Sequence, residues 1–538
     1  MNKIIVWFVK VTIVGLVLFT LIKCAFFVNN DKRVSQKSKK FYTEEELYRP
    51  KFHFTPRQNW MNDPNGMFYL NGKYHLFFQH YPDSTVWGPM HWGHAISTDL
   101  VAWKEQPIAL YPDEKGYVFS GSAVVDVNNT SGFASGTNPP VIAMFTYHDP
   151  KLEKEGKIDY QSQGIAFSLD EGKTWTKYSG NPVIKNPRIK DFRDPKVSWD
   201  PIHNQWVLVL AAGDESMFYK SNNLIDWEFL SYFGKDIGAH GGIWECPDFF
   251  SMSVEGTNEI KWILIQSLVS GGPNGGTGTQ YFIGDFDGKT FTLDTAFKKE
   301  LQDKKVMWID YGRDNYAGVT WSNIPANDGR TLFLGWMSNW EYAEKVPTNK
   351  WRSSMTIVRA LRLIKNDNHY SIVSQPIKEI NNYISKSINK GDFNVEGETV
   401  LVRKPELDFS SLDIQFKIKN IKKDIYTFSF FNSFGDSLKF GINNKEKFFF
   451  LDRTKSGNLS FSVKFAPIVS IAPIKEEFIN IDIEVLLDKT SIEIFYNNGK
   501  TVMTEIFFPQ KPIEAFSVKS EKFNIEIEGM TINQLKFD

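Results

Sequence analysis

Between about Pro50 and Arg362 the chain repeats itself, and a repeat of this period leaves few folds open. Five apolar stretches, at 74–78, 141–145, 206–210, 262–265 and 332–336, recur at intervals of about 55 to 70 residues, each preceded by a turn and each of strand length. A second unit places a polar turn ahead of an aromatic. It reads Ser97-Thr98-Asp99-Leu100-Val101-Ala102-Trp103, Ser168-Leu169-Asp170-Glu171-Gly172-Lys173-Thr174-Trp175 and Ser221-Asn222-Asn223-Leu224-Ile225-Asp226-Trp227, with a weaker copy from Gly284 to Phe291. These are four copies of one hairpin. A small antiparallel sheet cannot bury its faces alone, so five of them stacked about an axis, a five-bladed β-propeller, is the expected arrangement.

Each apolar stretch is preceded by another strand, the innermost of its blade. These begin at Asn62-Asp63-Pro64, Phe119-Ser120-Gly121-Ser122, Phe192-Arg193-Asp194-Pro195, Trp244-Glu245-Cys246-Pro247 and Asp310-Tyr311-Gly312. In a propeller the starts of the inner strands converge on one mouth of the central channel. Asp63, Ser120, Asp194, Glu245 and Asp310 are therefore expected to face one another. An Asp before Pro is ordinarily a turn former, but turn-forming alone does not explain why all five positions share one phase of the repeat.

Two carboxylates across a sugar-sized cavity are the minimum equipment for cleaving a glycosidic bond. Asp63 is the expected nucleophile, because Asn62 and Asn65 can donate hydrogen bonds that favour its ionised form. Glu245, between Trp244 and Cys246-Pro247, is expected to hold a proton and serve as general acid. Asp194, with Arg193 beside it and Arg188 nearby, is expected to stay charged and balance a developing oxocarbenium ion.

These blocks, in this order, resemble the signature blocks of glycoside hydrolase family 32. The resemblance runs from about Pro50 to the C-terminus and is strongest in the propeller. It implies a propeller followed by a β-sandwich, and retention of configuration through a covalent fructosyl-enzyme with Asp63 as nucleophile, Asp194 as transition-state stabiliser and Glu245 as acid/base. It also implies that Asn62, Gln79, Trp87, Phe119, Ser120 and Arg193 contact the fructosyl unit. Trp60 and Asp310 join them as expected substrate contacts, and Trp340 as the indole walling the pocket. The stretches from Asp310 to Ala317, Gly335 to Trp340 and Pro347 to Arg352 resemble those of levanases and exo-inulinases, with Asn315 standing where such enzymes often carry Phe.

The remainder of the chain supports these two domains. Beyond Arg362 the segment 365–390 is rich in Lys, Asn and Ser and reads as a linker, with an extended 371–376 and a short helix near 377–384. Short alternating strands from Gly391 onward, with turns such as Asn497-Asn498-Gly499, predict a β-sandwich over 391–538, after a propeller over 47–364. The fold class is all-β. Residues 1–28 carry Lys3 and Lys10 ahead of an apolar run and read as a signal peptide or a retained membrane anchor, with 29–46 as a tether. With Cys24 and Cys246 the only cysteines, no disulfide framework exists. Five of the nine His fall between His53 and His94, without metal-ligand spacing, and read as structural. The run Gly271 to Gly276 lacks the Lys-Ser or Lys-Thr and helix of a phosphate loop and reads as a flexible loop. Of Trp87 and Trp92, each followed by Gly, at least one is expected to line the pocket rim.

A net charge of -1 provides no field for collecting nucleic acid. The expected function is that of an exported, cofactor-free retaining β-fructosidase releasing fructose from the ends of β-fructans of levan or inulin type and from sucrose. Two alternatives share its residues: a fructosyltransferase of the same fold, and a carbohydrate-binding propeller without turnover.

Overall fold

In the computed structural model, which describes residues 43–304, 306–366 and 369–537, the recurring turn closes with the same hydrogen bonds each time. Ser97 Oγ accepts from the N–H groups of Asp99 and Leu100, Asp99 Oδ1 accepts from those of Val101 and Ala102, and the Trp103 indole donates to the Leu100 carbonyl. Ser168, Asp170 and Trp175 repeat the pattern around Gly172, and Ser221, Asn223 and Trp227 repeat it around Leu224. Asx and Ser side chains here do the work of a backbone turn, which is why they recur at fixed offsets from the Trp. In the weaker fourth copy Asp287 alone caps the turn, accepting from Lys289 and Thr290.

Those turns join strands into five sheets of the propeller. Blade I comprises Asn59–Leu70, Lys73–Tyr81, His91–Ser97 and Lys104–Leu110, and blade II Tyr117–Val125, Val141–His148, Gln161–Ser168 and Thr176–Lys177. Blade III is Phe192–Asp200, Gln205–Ala212, Glu215–Ser221 and Glu228–Phe233, and blade IV Trp244–Ser253, Ile260–Leu268, Gly278–Phe286 and Phe291–Leu293. Blade V is Tyr316–Thr320, Thr331–Trp336, Arg359–Asn366 and His369–Pro376. The second strands are mainly apolar because a neighbouring blade covers each face; all eight residues of Val141–His148 are buried. Each inner strand touches the inner strand of the next blade, and that of blade V touches that of blade I. The ring is latched where Trp351–Arg352 pairs in parallel with the start of blade I, Asn59 with Trp351 and Trp60 with Arg352.

The sandwich consists of two six-stranded antiparallel sheets. Alternation along Ile425–Phe431 buries Tyr426, Phe428 and Phe430, which pack with Phe440 and Phe516 between the sheets. Buried ion pairs and a close backbone approach hold it to the propeller. Arg359, fully buried, reaches Asp310 at 2.9 Å, Glu493 through Nε at 3.1 Å and Thr504 at 2.7 Å. Arg453 meets Asp314 at 2.6 Å, and His53 bridges Asp488 and Glu493 at 2.9 and 2.8 Å. Gly312 lies against Thr504, where a Cβ would come within 2.0 Å of the carbonyl oxygen.

Three expectations need correction or fall outside this description. The segment 365–390 is not a free linker: His369–Pro376 is the outer strand of blade V and Ile384–Val395 already belongs to the sandwich, so only Ile377 and the 3-10 turn Lys378–Tyr383 connect the two. Its polar composition reflects strands with solvent-exposed faces. The run Gly271 to Gly276 is pinned, not flexible, because Asn274 donates to the carbonyls of Tyr311 and Ile471 and accepts from the Ile471 N–H. The segment 1–28 with Cys24, and 29–42 of the tether, lie outside the described residues; among those described, no helix is long and apolar enough to cross a membrane.

Candidate active site

All five inner strands carry a register shift at the same point. It falls between Met61 and Pro64 in blade I, Val118 and Gly121 in blade II, Arg193 and Lys196 in blade III, Glu245 and Asp248 in blade IV, and Tyr316 and Val319 in blade V. A bulge leaves residues unpaired and re-aims their side chains, so the repeat delivers one group per blade: Asp63, Ser120, Asp194, the Glu245-Cys246 pair and Tyr316. Pro64, Pro195 and Pro247 suit bulges because they have no N–H to pair. Asp194, Cys246 and Ala317 take left-handed backbone at equivalent places, with φ of 63, 46 and 53°; for residues with a Cβ this is strain retained by its surroundings.

The groups meet as one network. Ser120 Oγ donates to Asp63 Oδ2 at 2.7 Å, and the Cys246 thiol lies 3.4 Å from the same oxygen and 3.5 Å from Asp194 Oδ2. The Cys246 N–H donates to Asp194 Oδ2 at 3.0 Å. Arg193 grips Glu245 Oε1 through Nη2 at 2.8 Å and Nε at 3.2 Å, with its Nε 4.0 Å from Asp194. The Tyr316 hydroxyl donates to Glu245 Oε2. Asp63 Oδ1 is buried and has no hydrogen-bond partner among the described residues.

Crowding three carboxylates out of water raises their cost of ionisation. Burial first, then the Glu245 charge, pushes Asp63 up to about 6 against hydrogen bonds from Ser120, Asn62 and Cys246 that favour its anion. Burial likewise pushes Asp194 up to about 7, with Arg193 opposing and Glu245 and Asp63 assisting. Asp194 is therefore less firmly charged than the adjacent Arg193 suggested, since one guanidinium is divided among several acids. Burial holds the Cys246 thiol and the Tyr316 phenol well above their ordinary values, so both remain protonated donors.

Aromatic side chains flank the acids. Trp87 is half-exposed and meets Phe119 edge to face at 5.9 Å; Phe119 in turn stacks on His148 at 4.3 Å. Trp340 stacks on Trp60 at 5.8 Å and leans on Trp336 at 4.9 Å. Of the two indoles followed by Gly, Trp87 is the half-exposed one, while Trp92 is core, fully buried with its N–H on the Phe119 carbonyl.

Asn62, Asp63, Ser120, Arg193, Asp194 and Glu245 come together, with Trp87, Phe119 and Trp340 around them. Others have different partners. Asp310 is not in the cluster: its carboxylate is consumed by Arg359, Thr504, Asn315 and the Gly312 N–H at the sandwich junction. Pairing in blade V begins only at Tyr316, so the strand's phase is six residues later than Asp310 implied. Asn315 shares that junction rather than the pocket. Trp60 has no exposed surface and serves Asn62, donating to its Oδ1 at 2.8 Å. Gln79 is buried and donates to the Val118 carbonyl. Asn65 accepts from Gly121 N–H instead of supporting Asp63, and Arg188 is exposed. The surroundings of Glu245 are a guanidinium and a phenol, not the apolar wall its neighbours in sequence implied. Tyr316, the thiol of Cys246 and Asp191, which binds Arg193 at 2.8 Å, went unread; Tyr316 was legible only with the bulge phase known.

The Glycosyl hydrolases family 32 N-terminal domain matches residues 53–376 and the Glycosyl hydrolases family 32 C terminal matches 379–534. The levanase of Bacillus subtilis (strain 168) is 45% identical over 495 residues, 91% of this chain and 71% of that one. The extracellular exo-inulinase inuE of Aspergillus niger is 38% identical over 506 residues, 87% of this chain and 91% of that one. Among solved structures, an exo-inulinase from Aspergillus awamori superposes with a TM-score of 0.82 at 34% identity, covering 92% of this chain and 99% of that one. A fructofuranosidase from Schwanniomyces occidentalis complexed with fructosylnystose does so with a TM-score of 0.82 at 32% identity and the same coverage.

Proposed function

The chain belongs to glycoside hydrolase family 32, and from that membership and the acid cluster we infer a glycosidase that releases fructose from the ends of β-fructans and from sucrose. In this reading the terminal fructosyl ring sits against Asp63 Oδ1, between the Trp87–Phe119 rim and Trp340. Asp63 attacks the anomeric carbon as the bond to the bridging oxygen breaks, and Glu245 gives that oxygen its proton. Asp194 faces the ring as positive charge develops on it. Water then loses a proton to Glu245 and attacks the same carbon, which frees fructose and restores the Asp63 carboxylate, so configuration is retained overall.

The observation that carries this reading is the joining of Asp63, Asp194 and Glu245, from three blades, by Cys246 and Arg193, with one Asp63 oxygen left unbonded. Asp63→Asn and Glu245→Gln should each lower kcat on sucrose, levan and inulin by roughly a thousandfold or more, with the fold retained. Rates within about tenfold of the parent would overturn the assignment. A binding propeller without turnover predicts no activity in the parent at all. Because the Aspergillus niger relative is named extracellular and residues 1–28 read as a leader or anchor, we place the enzyme outside the cytoplasm.

A further inference from the structure

Arg193 holds Glu245, and Arg193 is in turn held by Asp191, with a longer bond from its Nη1 to Gln161 Oε1 at 3.5 Å. Asp191 Oδ1 accepts from Arg193 Nη1 at 2.8 Å, opposite the Nη2 and Nε that grip Glu245. The Tyr160 hydroxyl steadies the same Asp191 oxygen at 3.3 Å, and Gln161 Oε1 fixes the intervening Phe192 N–H at 2.8 Å. A backbone relay runs in parallel: the Asp191 carbonyl accepts from Gly213 N–H, and the Gly213 carbonyl accepts from Trp244 N–H, next to Glu245. Asp191 takes left-handed backbone, φ 58°, immediately ahead of the inner strand of blade III, a strain that the surrounding hydrogen bonds retain.

We propose that Asp191 is a positioning residue for the acid/base step: it clamps the Arg193 guanidinium through Nη1 and shares its charge, so that Nη2 and Nε stay directed at Glu245 Oε1. This rests on the assignment of Glu245 as acid/base. The charged and titratable groups facing the Glu245–Arg193 pair are Asp63, Asp194, Cys246 and Tyr316 around Glu245, and Asp191 with His148 and Tyr160 on the Arg193 side. Among these, Asp191 is the carboxylate bonded to Arg193 that lies outside the proposed chemistry. Removing this anion leaves the whole Arg193 charge to the acids of the pocket.

Two substitutions separate charge from geometry. Asp191→Asn keeps an oxygen that accepts from Nη1 and removes the charge, whereas Asp191→Ala removes both. The measurement is the pH profile of kcat/KM for sucrose in the parent, both variants and Glu245→Gln. Asp191→Asn should retain most of the parent rate on the acid side while its alkaline limb moves down by about half a pH unit or more. Asp191→Ala should also lose roughly tenfold in kcat, as Arg193 swings free. An Asp191→Asn alkaline limb coincident with the parent's would overturn the proposal and reduce Asp191 to a structural role. If Glu245→Gln itself retains activity, the acid/base assignment falls instead.

Discussion

A single carboxylate shows how the fold sets chemistry. As the proposed nucleophile Asp63 needs to be ionised, yet burial and the Glu245 charge push it up to about 6, some two units above an ordinary aspartate of about 3.9. It is charged at neutral pH and loses that charge as the pH falls through about 6. The acid limb of kcat/KM for sucrose should therefore lie between about 6 and about 7, where Asp63 and Asp194 take their charges, and Ser120→Ala, which removes a hydrogen bond to the Asp63 anion, should move it upward. A limb near that of an ordinary aspartate, unmoved by Ser120→Ala, would contradict this. Residue identity was legible from the repeat, since Asp63, Asp194 and Glu245 share a phase. Residue environment was not: Asn65 turns to the Gly121 N–H and Arg188 is exposed, although both lie near the acids in sequence.

At the scale of elements, the inner strand with its bulge is the unit that the chain repeats five times, and the phase of that bulge decides which side chain reaches the pocket. It was legible where a Pro marks it and illegible in blade V, where Ala317-Gly318 occupies the bulge and Asp310 lies ahead of the strand. The stretch at His53 depends on a similar distant arrangement. Burial alone would lower the His53 pKa, but hydrogen bonds and charge from Asp488 and Glu493 raise it to about 9. Its folded value exceeds its unfolded value of about 6.5, so the stabilisation is complete below 6.5 and fades as the pH rises through 9. His53→Gln should lower the melting temperature most at pH 6, with the gap to the parent narrowing toward pH 9. A gap that stays constant over that range would refute the charged bridge. His75 and His94 act in the opposite sense: burial lowers them to about 4 and about 3, so their contribution is present above 6.5 and lost as the pH falls.

Over the whole molecule, two domains read separately in the sequence behave as one contact unit from Leu47 onward. The propeller and sandwich patterns were both visible because each repeats locally. Their junction was not, because Arg359, Asp310, Glu493 and Thr504 are each an unremarkable residue until folding buries them together. Arg359→Ala would leave buried Asp310 without its cation and Glu493 with His53 alone, a loss of about 3–5 kcal/mol, and thermal unfolding should show a correspondingly lower transition; an unchanged melting temperature would contradict a structural role for this junction. The central claim is that the propeller brings Asp63 to a fructosyl ring as its nucleophile. The most direct test is rapid acid quenching of the parent enzyme turning over saturating sucrose, followed by peptide mass mapping. The peptide bearing Asp63 should carry the mass of one fructosyl residue on that carboxylate; a fructosyl group found on a different carboxylate would contradict the claim.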